Sequence, residues 1–123
     1  MPGRIRIIAG KVEKIALLND SPAAETLRKS LPLEATVNRW GDEIYFSISP
    51  KLSGGEKRKI VNKGDIAFWP PGNAFCIFFG PTPISEGEEI RPASEVIILG
   101  EVEEGAQAFR KVEDGERIRI EEV

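Results

Sequence analysis

The feature that most constrains the fold of this chain is a series of short segments in which apolar and polar residues alternate, with glycine and proline between them. Arg4 to Ile8 and Arg117 to Ile120 alternate charged with apolar residues, and Ile44, Phe46 and Ile48 share one face of a third segment. A period of two is typical of half-buried β-strands. Short strands at regular spacing, joined by tight turns, predict a barrel or a sandwich rather than an α/β sheet.

We therefore predict a mostly β fold. The predicted strands are residues 4–8, 12–18, 35–38, 43–48, 60–61, 66–69, 75–79, 95–103 and 117–120. Gly10 predicts a turn that joins the first two strands as a hairpin. The run Pro70-Pro71-Gly72-Asn73 predicts a rigid turn, and it leaves both isomers of the Trp69–Pro70 peptide bond open. A long loop is predicted over residues 80–92.

One main helix is predicted over about residues 22–31. Asp20 or Ser21 can accept a hydrogen bond from the free N–H groups at its start, and Pro22 fits the first helical position. Its apolar face, at helical spacing, consists of Ala23, Ala24, Leu27 and Leu31. Residues 104–110 are predicted to form a short second helix of one or two turns.

The bulk composition predicts a single domain over residues 1–123. A chain of 123 residues with 41% hydrophobic residues can form one core. The net charge is −3, and no basic stripe interleaved with aromatic residues is visible, so a nucleic-acid partner is not predicted. The high share of charged residues, with one glutamine and four asparagines, indicates a thermophilic source.

The lack of histidine limits the chemistry more than any other compositional feature. It removes the most common general base and metal ligand, and with them serine–histidine and cysteine–histidine mechanisms and ordinary zinc sites. The carboxylates are scattered, and no pair has a spacing that indicates glycosidase or metal chemistry. Neither a metal nor a cofactor is predicted.

Cellular location is predicted from the cysteine count and from the N-terminal residues. Cys76 is the single cysteine, which excludes an internal disulfide and favours a reducing compartment. The first 18 residues show no signal peptide, and no run approaches the roughly 20 apolar residues that span a bilayer. We predict a cytoplasmic protein without a membrane partner.

Three segments carry a resemblance to a known family: NRWGDE (38–43), GDIAFWPPGN (64–73) and FFGPTP (78–83). They resemble a small cyclophilin-like family of prokaryotic proteins. The Ser21-Pro22 helix start, the segment RPAS (91–94) and the closing strand also fit. The resemblance covers nearly the whole chain and implies a closed cyclophilin-like β-barrel, but it implies no particular reaction.

A more distant likeness is to the true cyclophilins, which are peptidyl-prolyl isomerases. Residues 64–79 follow their plan of a strand, a loop rich in glycine and asparagine, and a strand that ends in two phenylalanines. This likeness implies that Phe79 floors a proline pocket, that Phe78 lies inside the barrel, and that Arg39 is the catalytic arginine. Ile77 stands where cyclophilins have glutamine, and the pocket histidine is missing, so enzymatic activity is left open.

Each candidate site residue has a functional and a structural interpretation. Arg39 can weaken prolyl amide resonance or clamp a carboxylate, or it can form an ion pair with Asp42 or Glu43. Trp40 and Trp69 can wall a ligand pocket or plug the end of the barrel.

Three further candidates carry the same ambiguity. Phe79 can face a groove or pack in the core. Asn73 can offer its amide to a ligand or bond to the backbone of its own turn. Arg91 can reach across a groove as a second cation or remain a solvated loop residue. Cys76 is interpreted as a buried structural residue.

Three functions follow from these candidates. The first is a binding module with a groove lined by Arg39, Trp69, Asn73 and Phe79, which holds a peptide segment or a small carboxylate. The second is a peptidyl-prolyl isomerase in which Arg39 is the electrostatic catalyst. The third is a protein–protein interaction subunit, which can include a homo-oligomer.

Overall fold

The structure is a computed structural model that describes residues 3–123. Its strands form one antiparallel sheet that curves into a barrel. The predicted single domain and the N-terminal segment without a signal peptide both include residues 1 and 2, which lie outside the described residues. The strands are β1 (Arg4–Ala9), β2 (Val12–Leu18), β3 (Leu33–Thr36), β4 (Asn38–Arg39), β5 (Glu43–Ser47), β6 (Lys57–Arg58), β7 (Asp65–Trp69), β8 (Ala74–Phe78), β9 (Val96–Val102) and β10 (Arg117–Glu122). The helix α1 covers Pro22–Lys29, and 3₁₀ helices cover Pro70–Gly72 and Ala106–Lys111.

The barrel is nearly closed because one stretch of chain pairs at both edges of the sheet. The strand order is β3-β10-β1-β2-β9-β7-β8-β5-β4, with β6 paired to β9. The edge strands β3 and β4 are consecutive in the chain and are separated only by Val37. The first pairs with β10 and the second with β5, so the segment Leu33–Arg39 bridges the two edges.

Most sequence predictions of the elements are confirmed. β1 and β2 form the predicted hairpin. Ser21 caps α1 by accepting a hydrogen bond from Ala24 N, although α1 ends at Lys29 instead of continuing to residue 31. The short second helix is the 3₁₀ helix Ala106–Lys111.

Three details differ from the predictions. The predicted strand over residues 35–38 is divided at Val37 between β3 and β4. Residues 60–61 are not a strand, because Val61 forms only an isolated bridge to Ile90; the strand in this region is β6. The cis peptide bond of the described chain is Leu31–Pro32, and Trp69–Pro70 is trans.

The main core fills the barrel, and the helices cover its two ends. Ala23, Ala24 and Leu27 of α1 are buried beyond the end of β2, and Phe109 of the second 3₁₀ helix is buried near the start of β2. Gly100 of β9 allows β2 to lie close to it, because a Cβ there would be 1.9 Å from the Leu17 carbonyl oxygen. No helix among residues 3–123 has the length and apolar character needed to cross a membrane.

The outside of the barrel has two contrasting faces. On β1, β2, β3 and β10 the outward side chains form a network of ion pairs, which we name the charged face: Arg6, Glu13, Glu34, Arg117, Arg119 and Glu121. On β5, β7, β8 and β9 the outward side chains form a second apolar cluster. We name it the covered face, because Val61 and Ile90 from the adjoining loops are packed into the same cluster.

Candidate binding site on the covered face

An open cavity of about 280 Å³ lies on the covered face, and we name it the tryptophan cavity. It is bounded by the sheet on one side and by the loop before β9 on the other. Its lining residues are Trp40, Glu43, Tyr45, Trp69, Pro92, Ala93 and Val96. None of them is a lysine or an arginine. The cavity is therefore walled by aromatic and apolar groups around one carboxyl group.

A two-residue hairpin turn places Trp40 beside Glu43. Trp40 N donates to Glu43 O at 2.9 Å, and Glu43 N donates to Trp40 O at 3.2 Å, so the two residues are directly opposite. Gly41, in the turn between them, has a φ of +62°, which glycine adopts without the strain of a side chain. Tyr45, two residues after Glu43, lies on the same side of β5 and extends the wall.

Trp69 and the loop form the opposite wall. The Trp69 indole Nε1–H donates to Ser94 Oγ at 2.7 Å, which ties the end of β7 to the loop. Within the loop, Ser85 Oγ accepts from Thr82 N at 2.9 Å and from Arg91 N at 3.0 Å. These bonds hold the two ends of the loop together and keep Pro92 and Ala93 over the sheet.

Glu43 is the unusual group of the cavity, because it is a carboxyl group that is only 6% exposed. Burial raises the pKa of Glu43 from 4.5 to about 7, and the neighbouring Cys76 thiol lowers it by a smaller amount. Burial also raises the pKa of Cys76, and the nearby Glu43 raises it further. Cys76 is thus a neutral, buried thiol, as its interpretation as a structural residue predicts, and Glu43 exchanges its proton near neutral pH.

Arg39 lies on the other side of the same hairpin and points to the end of the barrel. Its Nε donates to Gly41 O at 2.6 Å, and its Nη1 donates to the carbonyl oxygens of Arg110 at 3.0 Å and Val112 at 2.8 Å. The predicted ion pair with Asp42 is present at 3.2 Å. The Arg39 guanidinium therefore fastens the hairpin to the second 3₁₀ helix, and it does not line the tryptophan cavity.

Phe79 lies inside the barrel and not in a groove. It is fully buried in the main core, where its ring lies 6.2 Å from that of Phe109 and 5.0 Å from the Arg39 guanidinium carbon. Phe78 belongs to the cluster of the covered face. The placement that the likeness to true cyclophilins implies is wrong for both residues, and Phe79 instead follows the alternative of packing in the core. Side chains alternate along a strand, and the register of β8 turns Phe78 outward and Phe79 inward.

Asn73 and Arg91 also lie apart from the cavity lining. Asn73 has the left-handed backbone of a turn, and its Nδ2 donates to Ile48 O at 2.6 Å and Pro50 O at 2.9 Å. Arg91 Nε donates to Glu89 Oε2 at 2.8 Å. Of the candidate site residues, the structure therefore brings only Trp40 and Trp69 together at the cavity.

The comparisons with known proteins agree with the barrel architecture. The family model described as cyclophilin-like matches residues 3–121. The chain belongs to the cyclophilin-like family. Its structure is similar to the solution structure of a hypothetical protein from Archaeoglobus fulgidus, with a TM-score of 0.81 and 37% sequence identity over 99% of this chain and 95% of that one. A comparison with curated proteins gave no match.

The sequence reasoning missed Glu43, Tyr45 and the loop residues of this cyclophilin-like domain. A signal for the first two was present: Ile44, Phe46 and Ile48 predict one face of β5, so Glu43 and Tyr45 belong to the other. Gly41-Asp42 is a two-residue turn signal, and it sets Trp40 opposite Glu43. No comparable signal identifies Pro92 and Ala93, because their position depends on how the loop folds over the sheet.

Proposed function

We propose that this cyclophilin-like domain is a binding module whose site is the tryptophan cavity. The observation that carries the proposal is an open cavity of about 280 Å³, lined by three aromatic residues and a single carboxyl group. Binding sites are concave and mostly apolar, with a few convergent polar groups that orient the ligand. A volume of this size suits a single side chain of a peptide or the head group of a small molecule.

The proposed site has different lining residues from the groove that the sequence predicts. Of the four groove residues, Trp69 belongs to the cavity, whereas Arg39, Asn73 and Phe79 are engaged within the fold. A carboxylate ligand needs a cation, and the residues that line this cavity include none. The cavity therefore favours a neutral or positively charged group over an anionic one.

The isomerase and interaction functions remain open predictions. An isomerase that uses Arg39 and Phe79 needs both to face the substrate, and in this structure both face the barrel end. A protease-coupled assay with a proline peptide measures that activity directly. Self-association is measured by light scattering over a range of concentrations. Ile84, which is 45% exposed on the loop, is the apolar residue to replace if association occurs.

The binding proposal is tested with the two tryptophans as reporters. The chain has two tryptophans, and both line the cavity, so their indole N–H signals in a ¹⁵N NMR spectrum report on its occupancy. We expect a set of small uncharged and cationic fragments to include compounds that shift both signals. Anionic fragments of the same size are expected to shift them less.

A variant that fills the cavity makes the test specific. Ala93 is exposed and lines the cavity, so Ala93→Phe places a ring at its mouth without disturbing the core. Gln107→Phe, at an exposed position of the second 3₁₀ helix, is the matched control. We expect Ala93→Phe to abolish the shifts and Gln107→Phe to keep them. The proposal fails if the fragments leave both signals unchanged, or if they bind both variants equally.

A further inference from the structure

We propose that the tryptophan cavity takes a positively charged organic group of the alkylammonium type, with Glu43 as its counter-ion. Trp40, Tyr45 and Trp69 form the aromatic walls around the charge. This inference rests on the proposed function, because it names the ligand class for the same cavity.

The first argument is the lack of a partner for Glu43. Among residues 3–123 no cationic side chain pairs with its carboxyl group, and the Cys76 thiol is the one polar neighbour that stabilises its charge. That thiol is a weak donor with a single hydrogen, for which Ala74 O, 3.9 Å from the sulfur, is a competing acceptor. A carboxylate that is shielded from most water and has no cationic partner is costly, and a cation that enters the cavity offsets part of this cost.

The second argument is the aromatic lining. A cation over the face of an aromatic ring is attracted by its electron density, and tryptophan is the strongest partner of this kind. Two tryptophans and a tyrosine border the cavity. The polar atom of Trp69 is already bonded to Ser94 Oγ, so a ligand meets the ring and not an unsatisfied N–H group.

The third argument is size. At about 280 Å³ the cavity is smaller than most pockets for drug-sized ligands, which start at roughly 300 Å³. A trimethylammonium head group or a methylated lysine side chain fits this description. Both carry the same chemistry, one as a free small molecule and the other as part of a peptide.

The test uses three molecules of nearly the same shape that differ in charge. Choline is the cation, 3,3-dimethylbutan-1-ol is its neutral counterpart, and 3,3-dimethylbutanoate is the anion. Each is titrated at pH 8 against the indole N–H signals of Trp40 and Trp69. We expect choline to bind at least roughly tenfold more tightly than the alcohol, as a desolvated cation–aromatic contact implies, and the anion to bind weakest.

Glu43→Gln separates the effect of charge from the effect of shape. It keeps the size of the side chain and removes its charge, so we expect the preference for choline over the alcohol to fall to about threefold or less. Asp65→Asn is the matched control. Asp65 is also a buried carboxyl group, 7% exposed, and it does not line the cavity. This control is expected to keep the full preference.

The pH dependence gives a second readout. Tyr45 on β5 and Cys76 on β8 are the titratable groups that face Glu43. Asp42, the preceding residue, pairs with Arg39 and Arg110, and the lining residues from β7, β9 and the loop carry no titratable group. Because burial raises the pKa of Glu43 to about 7, its carboxylate is mostly protonated at pH 5.5. Choline is expected to bind at least roughly threefold more weakly at pH 5.5 than at pH 8, the same loss as in Glu43→Gln, whereas the alcohol is unaffected.

The outcomes distinguish the inference from the proposed function. Equal affinity for choline and the alcohol, or an undiminished choline preference in Glu43→Gln, overturns the cation inference and leaves a binding module. If none of the three molecules shifts the indole signals, the cation inference also fails. The fragment titrations then decide whether the cavity binds any ligand. The affinity of a peptide with one trimethyl-lysine, compared with that of choline, shows whether the cavity prefers the cation on a peptide or on a free small molecule. If neither binds more tightly than the alcohol, the inference fails.

Discussion

The two outer faces of the barrel belong to one sheet, yet they are built from opposite kinds of side chain. On the charged face, arginines and glutamates such as Arg119 and Glu34 alternate across neighbouring strands in contact with solvent. On the covered face, Cys76 and Phe78 are almost fully buried beneath the adjoining loops. A side chain that points outward from this barrel is therefore not always exposed to solvent. Only the face that has a loop above it can hold a cavity between the sheet and that loop.

The difference follows from the composition of the strands. The outward residues of β10 are charged, as are Arg4 and Arg6 of β1, and they need no cover; Ile8 is the apolar outward residue of β1. β7 and β8 are apolar on both sides, which is typical of strands buried on both faces. Glu43 and Asp65 are the exceptions on the covered face, and of the two only Glu43 lines the cavity. The Glu43 carboxyl group, which would be ordinary on the charged face, has there lost most of its contact with water, and no cationic side chain among residues 3–123 pairs with it.

The largest expected effect is from removing the main aromatic residue of the covered face. Phe78→Ala is expected to lower the free energy of unfolding by about 4 kcal/mol, as for any fully buried phenylalanine. Urea denaturation measures the change, with Phe75→Ala in the main core as the reference. A loss below about 1 kcal/mol would show that the loop does not shield this face in solution.

Glu43→Gln tests whether the buried carboxyl group destabilises the covered face. A pKa of 4.5 in the unfolded chain and about 7 in the folded one means that folding binds a proton in this interval. The stability contributed by the neutral carboxyl group is therefore lost as the pH rises from 4.5 towards 7 and above. The full loss corresponds to about 3 kcal/mol.

We therefore expect Glu43→Gln to be more stable than the unmodified protein at pH 8 by up to about 3 kcal/mol, and nearly equal to it at pH 4. Urea denaturation at the two pH values checks this, with Glu88→Gln at an exposed loop position as the control. Equal stability of the two proteins at pH 8 would indicate that Glu43 has a partner in solution.

Arg39→Ala tests the residue that joins the hairpin of the cavity to the barrel end. It removes hydrogen bonds to three carbonyl oxygens and the ion pair with Asp42. Because the side chain is 27% exposed, water can replace part of these bonds, and we expect a loss of about 2 kcal/mol. Fragment binding at the cavity is expected to persist under folded conditions. A loss of binding in folded Arg39→Ala would assign Arg39 a role in the site.

The smallest expected effect is on the charged face. Arg6 pairs with Glu13 at 3.2 Å and with Glu121 at 2.8 Å in contact with solvent. Pairs of this kind contribute roughly 0.2–1 kcal/mol, so Arg6→Gln is expected to lower stability by less than about 1 kcal/mol, and by still less in 1 M salt. Denaturation at low and high salt measures both values. A loss of stability well above about 1 kcal/mol would mean that the charged face contributes to the free energy of unfolding as the covered face does.

The candidate site residues that the sequence suggests lie in different surroundings in the structure. Trp40 and Trp69 were identified because large aromatic residues beside turns stand out in the sequence, and they do line the cavity. The likeness to true cyclophilins implies a groove with Arg39 and Phe79, but Phe79 is buried in the main core and Arg39 is partly exposed and bonded to carbonyl oxygens at the barrel end. A likeness between motifs conveys the order of residues along a strand, but it does not establish which side of the sheet each residue faces.

The amino-acid sequence by itself determined the strands, the capped helix α1 and the barrel, because alternation, turn residues and helix caps act between neighbours in the chain. The tertiary structure alone decided where the site lies. Glu43 becomes a buried group only when β5 pairs with β8 and the loop closes over both, and burial, the cause of its raised pKa, is a property of contacts between distant residues.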